Sequence, residues 1–439
     1  MNCSITDFGA VSDGSLQTEA IQRAIDSCFL QGGGEVAVPQ GMFLTGGLRL
    51  RSHVTLRLLA GAVLLGSRDP EDYTGYIRDT VEPLEEYPHE GIKRSVYPFS
   101  RWNNAIIRAL DAEDIAIIGE EGSLIDGRNC FDAQGEEGYR GPHPICFHHC
   151  RNIRLEGYTV TRGGNWGHNI CRSQDITIRR VTVFAGHDGI DLRSCDNILI
   201  EDCVLQTGDD AIAGFDNNDA VIRRCRLDSS CSSLRFGGNH ILVEDCTAVS
   251  PAPHGFRGML SDEKKRSGEE ADETCRHRAH QFFLYYCDHR ADPRRTPGDI
   301  LIRNCRIVKP SRLFAMNYDG QHVWCCNRPL TSIRFENCSV EEVAEPLYIY
   351  GDAEEPLRME LENVTVTPEP GAERVAVAEI RNWSELYMKN VKLQNYAVPA
   401  IVTHSKGTIR TEDMQPVLIV EVPIAHNDAP MPIMKSGTK

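Results

Sequence analysis

The 439-residue sequence predicts an all-β fold, a single-stranded parallel β-helix. Two repeating features carry this reading, and an N-terminal helix fits it. Segments with apolar residues at alternate positions begin at Asn152 (NIRLEGYTV), Asp175 (DITIRRVTV), Asn197 (NILIEDCVL), Asp219 (DAVIRRCRL) and His240 (HILVEDCTA), in steps of 23, 22, 22 and 21 residues. Related segments begin at His53, Asp114, Asp299, Ser332 and Arg358, separated by longer excursions. Period-two alternation rich in β-branched residues reads as strands. A period of about 22 with no helical pattern inside it excludes tetratricopeptide and ankyrin arrays, and the leucine framework of a leucine-rich repeat is missing. One turn of a parallel β-helix fits, because each coil buries its inward side chains only by stacking on its neighbours.

The second feature is a cysteine register. Cys203, Cys225, Cys246, Cys305 and Cys338 each fall six residues after their segment start, which places them in one interior column as small buried hydrophobes. No histidine column accompanies them, so no metal ladder is expected. Residues 17–30 put Ile21, Ala24, Ile25, Cys28 and Phe29 on one helical face before Gly32-Gly33-Gly34. This helix is expected to cap the open end of the coil stack, which otherwise exposes an unpaired edge. The charge-rich stretch 261–298 reads as a loop inserted between coils, and 426–439 as a flexible tail. The expected organisation is one β-helix domain over 1–425.

Hydrophobic residues make up 41% and charged residues 25% of the chain, enough apolar material for a large core. The formal charge of -16 argues against nucleic acid or an anionic membrane as partner, since both need a basic face. No apolar run approaches the roughly 18 residues of a membrane span, and the N-terminus lacks the pattern of a signal peptide. Without an export signal, the 17 cysteines are expected to be mostly reduced thiols in a cytoplasmic protein.

Placed on the repeat, Asp188 lies nine residues before Asn197, and Asp210 nine before Asp219. With neighbouring strands about 4.8 Å apart, the two carboxylates are expected to stack on adjacent coils. Asp209 adjoins Asp210, Asp191 lies three after Asp188, and Trp166 takes the same offset one coil earlier. Clustered acids repel, so at least one is expected to hold its proton. A carboxylic acid beside a carboxylate is what glycosidic cleavage requires, one protonating the leaving oxygen and the other activating water. Trp166 on the same face offers a stacking platform for a sugar ring. Asp in GDD and HDG is also a common turn residue, and clustered acids also suit calcium; catalysis is the reading preferred here, with no cofactor or metal.

These residues resemble glycoside hydrolase family 28, the polygalacturonases. The resemblance runs from about residue 5 to 370, through ITDFGAVSDG, GGGEVAVPQG, GSLIDGRN, GGNWGHN and, most specifically, HDGIDLRSCDNILIEDCVLQTGDDAIAG. It implies a right-handed parallel β-helix and an inverting mechanism, with Asp209 as general acid and Asp188 and Asp210 activating the water. The family signature Asn-Thr-Asp is here Gly186-His187-Asp188. Gly-His-Gly falls on Ser230-Cys231-Ser232, and Arg-Ile-Lys on Arg257-Gly258-Met259. His187, Arg235 and Arg257 are therefore expected, with Trp166, to bind substrate, and Arg193 to add positive charge to the cleft. The substrate expected is a short oligosaccharide or glycoside cut from one end. A lyase or epimerase on the same scaffold and a non-catalytic carbohydrate-binding β-helix are the competing readings. The sequence leaves the oligomeric state open.

Overall fold

A computed structural model describes residues 2–73, 101–287, 293–317 and 328–422. The tail expected over 426–439 lies outside the described residues. Two compact units make up the chain: Met1–Asp209 with Pro253–Arg276, and Asp210–Ala252 with His277–Lys439.

In the first unit each repeat folds into three short strands. One coil holds His143–His148, Arg151–Glu156 and Thr159–Thr161; the next holds His168–Cys171, Gln174–Arg179 and Thr182–Ala185; a third holds Ile190–Arg193, Asp196–Glu201 and Val204–Thr207. Equivalent strands pair in parallel. Ile153 faces Ile176 and Ile176 faces Ile198, while Leu155, Ile178 and Ile200 form the next column. These side chains are buried, each contributing about 1.5–3 kcal/mol of hydrophobic stabilisation.

The Asn or Asp that opens each repeat has a different task from its neighbours. Asn152, Asp175 and Asn197 have φ of 54°, 56° and 53°, the left-handed region that Asn and Asp tolerate best. Their side chains link the coils: Asn197 Nδ2 donates to Asp175 Oδ1 at 2.9 Å, and Asn152 Nδ2 to Asp114 Oδ1 at 2.6 Å. The 22-residue spacing of these residues is thus a spacing of backbone kinks.

The capping helix spans Thr18–Leu30 and buries Ala20, Ile21, Ala24, Ile25 and Cys28. Phe29, expected on the same face, is only partly buried and carries the Arg51 guanidinium 4.3 Å from its ring centre. Gly32 and Gly33 end the helix with φ of 90° and 94°. A Cβ on Gly33 would lie 2.3 Å from the carbonyl oxygen of His53, so the turn also needs glycine for space.

The second unit is also built on a parallel ladder, with the longest excursion between Ile241 and Ile300. Ile241, Ile300, Ile333, Met359 and Leu386 follow one another in a single buried ladder that ends on the partly exposed Ile409. Cys225, Cys246, Cys305 and Cys338 are buried here, each Sγ donating to the carbonyl oxygen two residues earlier. Cys203 makes the same contact, with Glu201, in the first unit.

The stretch 261–298 is more ordered than a loop. In the first unit it forms the helix Asp262–Ser267 and the 3-10 turn Glu273–Cys275. In the second unit it forms a full coil strand, Gln281–Tyr285, paired with Ser232–Phe236 through Leu234–Phe283 and Arg235–Leu284. The flanking charges hid this strand. Its apolar core residues settle the matter, with Phe283 stacked on Phe314 at 6.1 Å.

Candidate active site

In the first unit, Asp188 and Trp166 occupy the corners that precede two paired strands. His168 faces Ile190 in the ladder, and the Gly167 N–H donates to the Asp188 carbonyl at 2.9 Å. The two residues therefore sit at equivalent places on adjacent coils, as the repeat offset predicts. Asp188 is buried and Trp166 partly exposed. Trp166 stands edge-on to Trp102 at 5.0 Å and tilted to His143 at 5.7 Å, with the Arg193 guanidinium 5.0 Å from its ring centre. Arg193 is itself held by Asp191 at 3.0 Å and Asn169 at 2.7 Å.

Asp209 keeps 19% of its side chain exposed. Arg140, itself buried, brings Nη2 to 3.7 Å from Asp209 Oδ2. Glu137 accepts from Arg140 Nε at 3.2 Å, and Asn165 Oδ1 accepts from its Nη1 at 3.4 Å and from the Trp166 N–H at 3.0 Å. One network thus joins the exposed acid to the aromatic wall.

His187 is fully buried beside Asp188. Its ring lies between Tyr139 at 5.9 Å and Phe256 at 6.3 Å, and neither ring nitrogen has a hydrogen-bond partner. Burial holds the imidazole well below its usual pKa, and the charges of Arg140, Arg257, His143 and Lys265 reinforce this. Enclosed in this way, it reaches no solvent. Arg257 is likewise buried. Its N–H donates to Gly186 O at 3.0 Å, and its guanidinium donates to the carbonyls of Glu269 and, at 3.4 Å, Lys265. Its stem covers Gly186, where a Cβ would lie 2.4 Å from Arg257 Cγ. Arg257, expected at the substrate, spends these donors on the inserted segment because that segment folds over it. Burial lowers its pKa to about 10.

In the second unit, Asp210 is buried and accepts a hydrogen bond from Arg235 Nε. Arg235 faces Ala213 across the ladder, and its guanidinium lies 4.4 Å from the ring centre of Tyr286.

Several residues of the site have no periodic signal: Trp102, Tyr139, Arg140, His143, Asn165 and Lys265. Lys265, on the inserted helix, places Nζ 4.3 Å from the Tyr139 ring centre. Only the Tyr-Arg pair preceding a strand pattern in YRGPHPICF offered any cue.

His168 anchors the coil beneath Trp166. Its Nδ1–H donates to Gly189 O at 3.2 Å, and its Nε2 accepts from the Tyr158 hydroxyl at 3.0 Å, a pairing that needs the neutral ring. Burial pushes its pKa down to about 4. An unfolded chain takes up this proton near the ordinary value of about 6.5, so the contribution is complete above that pH and is lost as pH falls toward 4. His168→Gln is expected to lower the melting temperature at neutral pH and to flatten its dependence over that acidic range. Thermal melts of the two proteins against pH check this; parallel curves would contradict it.

The fold defines a class, the right-handed parallel β-helices, and part of the sequence matches a glycosidase family within it. Residues 93–226 match the model described as glycosyl hydrolases family 28. A probable polygalacturonase of Vitis vinifera is 32% identical over 281 residues, 57% of this chain and 55% of that protein. An exo-poly-alpha-D-galacturonosidase of Dickeya chrysanthemi is 28% identical over 260 residues, 59% of this chain and 34% of that protein. The chain thus spans between a third and just over half of these two relatives. In fold it is similar to a family 28 exopolygalacturonase of Yersinia enterocolitica, with a TM-score of 0.64 at 17% identity over 94% of this chain and 78% of that one. The resemblance to glycoside hydrolase family 28 expected from the motifs is thereby shown.

Proposed function

We propose that the protein is an inverting glycoside hydrolase that cuts pectin-derived or related oligosaccharides from one end. Asp209 is the general acid, Asp188 and Asp210 activate the water, and Trp166 is the sugar platform. The observation that carries this reading is the pairing of Asp188 with Trp166 on adjacent coils within the stretch that matches family 28. Asp209 supports it as the partly exposed acid of the same unit, tied to that wall through Arg140 and Asn165.

A uronate sugar suits the surrounding charge. Arg140 and Lys265 both lie against the Tyr139 ring, at 5.9 and 4.3 Å, and the ion partner of Lys265 within 4 Å is the exposed Asp262. Arg140 already has Glu137 and Asp209, so it is the buried Lys265, whose ion partner among the described residues is that exposed acid, that favours an anionic ligand. A short substrate and a reducing, cytoplasmic compartment belong to the same proposal, the compartment supported by the free thiols of the described cysteines.

The test is digestion of oligogalacturonides and aryl glycosides, with the first-formed anomer followed by NMR. An inverted anomer is expected. A retained anomer, or an ultraviolet-absorbing unsaturated sugar, would overturn the mechanism, the second in favour of a lyase.

A further inference from the structure

Arg140 stands where it can decide the charge of Asp209. It is buried and brings Nη2 to 3.7 Å from Asp209 Oδ2. That separation is beyond hydrogen-bond length, so the pair is held by charge, with no directed bond to break. The same guanidinium has closer partners. Glu137 accepts from Nε at 3.2 Å and from Nη2 at 3.5 Å, and Asn165 Oδ1 accepts from Nη1 at 3.4 Å. Arg140 can therefore give up Asp209 and stay compensated. Burial opposes its charge, but Tyr139, Glu137 and Asp209 outweigh burial and hold it a cation.

A cation this close favours the carboxylate form of an acid, moving its titration down by about 1 to 3 pH units. A general acid must carry its proton when the glycosidic bond breaks. Before substrate binds, Arg140 thus opposes the role given to Asp209. The surroundings show what can relieve that opposition. Lys265 Nζ lies 4.3 Å from the centre of the Tyr139 ring, and the Arg140 guanidinium 5.9 Å from it. The Lys265 side chain keeps 11% of its surface exposed, so a ligand can reach it. Asn165 Nδ2 is buried without a hydrogen-bond partner, a donor left over on the same network. A carboxylate drawn to these donors competes with Asp209 for Arg140. The other ionisable groups of this unit beside the pair are Glu136, 3.9 Å from Arg140 Nε, and the neutral His187, with Asp210 next in the chain.

We propose that Arg140 is a positioning residue that keeps Asp209 ionised in the free enzyme and lets it take up a proton when a uronate carboxylate binds beside Lys265. This rests on the hydrolytic reading above. Asp209 gains its proton from solvent on binding and gives it to the leaving oxygen as the glycosidic bond breaks. The attacking water loses one proton to the carboxylates that activate it, and that proton returns to solvent. The protons balance, and no further reactant is needed. A neutral sugar leaves the acid ionised, so selection for uronates acts on kcat as well as on binding.

The test joins pH profiles with a measurement that needs no turnover. The profile of kcat/KM reports the free enzyme and that of kcat the substrate complex. With oligogalacturonides, the alkaline fall of kcat is expected about one pH unit or more above the alkaline fall of kcat/KM. In Arg140→Met the two falls are expected to coincide. Coincident falls in the wild type, or a gap kept by a folded Arg140→Met, would overturn the proposal. Independently, calorimetric binding of galacturonate to the whole protein, in buffers of different ionisation enthalpy between about pH 4 and 6, counts the protons taken up around the ordinary carboxylate range. The wild type is expected to take up more than Asp209→Asn, by up to about one proton. Equal uptake in the two proteins would overturn the exchange even if the protein hydrolyses no galacturonide; greater uptake in the wild type with no hydrolysis would instead place the failure in the hydrolytic reading.

Discussion

Asp209→Asn is expected to lower kcat by about 10²- to 10⁴-fold, the usual contribution of a positioned general acid, with KM changed only slightly. The reasoning is local. Of the acids proposed for catalysis in the first unit, Asp209 is the partly exposed one, so it can meet the oxygen of a leaving group, while Asp188 is buried at its corner. The amide keeps the shape of the side chain but has no proton of suitable acidity to give. Steady-state kinetics on oligogalacturonides check the loss, with circular dichroism to show that the coils remain. Turnover within tenfold of the wild type, in a folded variant, would remove Asp209 from its role.

Arg235→Met is expected to destabilise the protein by about 3–5 kcal/mol, the usual result of taking one partner from a buried ion pair. Both Arg235 and Asp210 are under a tenth exposed, and the guanidinium is further fixed against Tyr286. Methionine replaces the stem but leaves the carboxylate charge in a poorly hydrated place. The double variant Arg235→Met with Asp210→Asn removes that charge too and is expected to recover part of the loss. Urea unfolding of the three proteins measures the difference. A cost below about 1 kcal/mol for the single variant would show that the pair behaves as a solvent-screened surface bridge.

The coil register was legible because burial imposes it. The ladder Ile153, Ile176, Ile198 falls on the predicted segments, and the columns of Cys225, Cys246, Cys305 and Cys338 keep their offset. A shift of one residue would turn every inward side chain to the other face, so the pattern survives in the sequence. The strand Gln281–Tyr285 was hidden because it stands alone between charged stretches, without a repeat partner on either side in sequence. The Asn and Asp at the segment starts were visible as markers, but their left-handed backbone was not, since a repeated residue does not state its φ.

By itself, then, the sequence determined the β-helical class, the coil period and the adjacency of Trp166 and Asp188, because each follows from stacking identical windings. Only the tertiary structure decided the surroundings of those residues. Arg140 beside Asp209, His187 sealed behind Tyr139 and Phe256, and Arg257 turned toward the carbonyls of the inserted segment all depend on loops that leave the repeat and return. Such loops bury charge by whatever partners their path brings within reach, and no periodic pattern in the chain records that path.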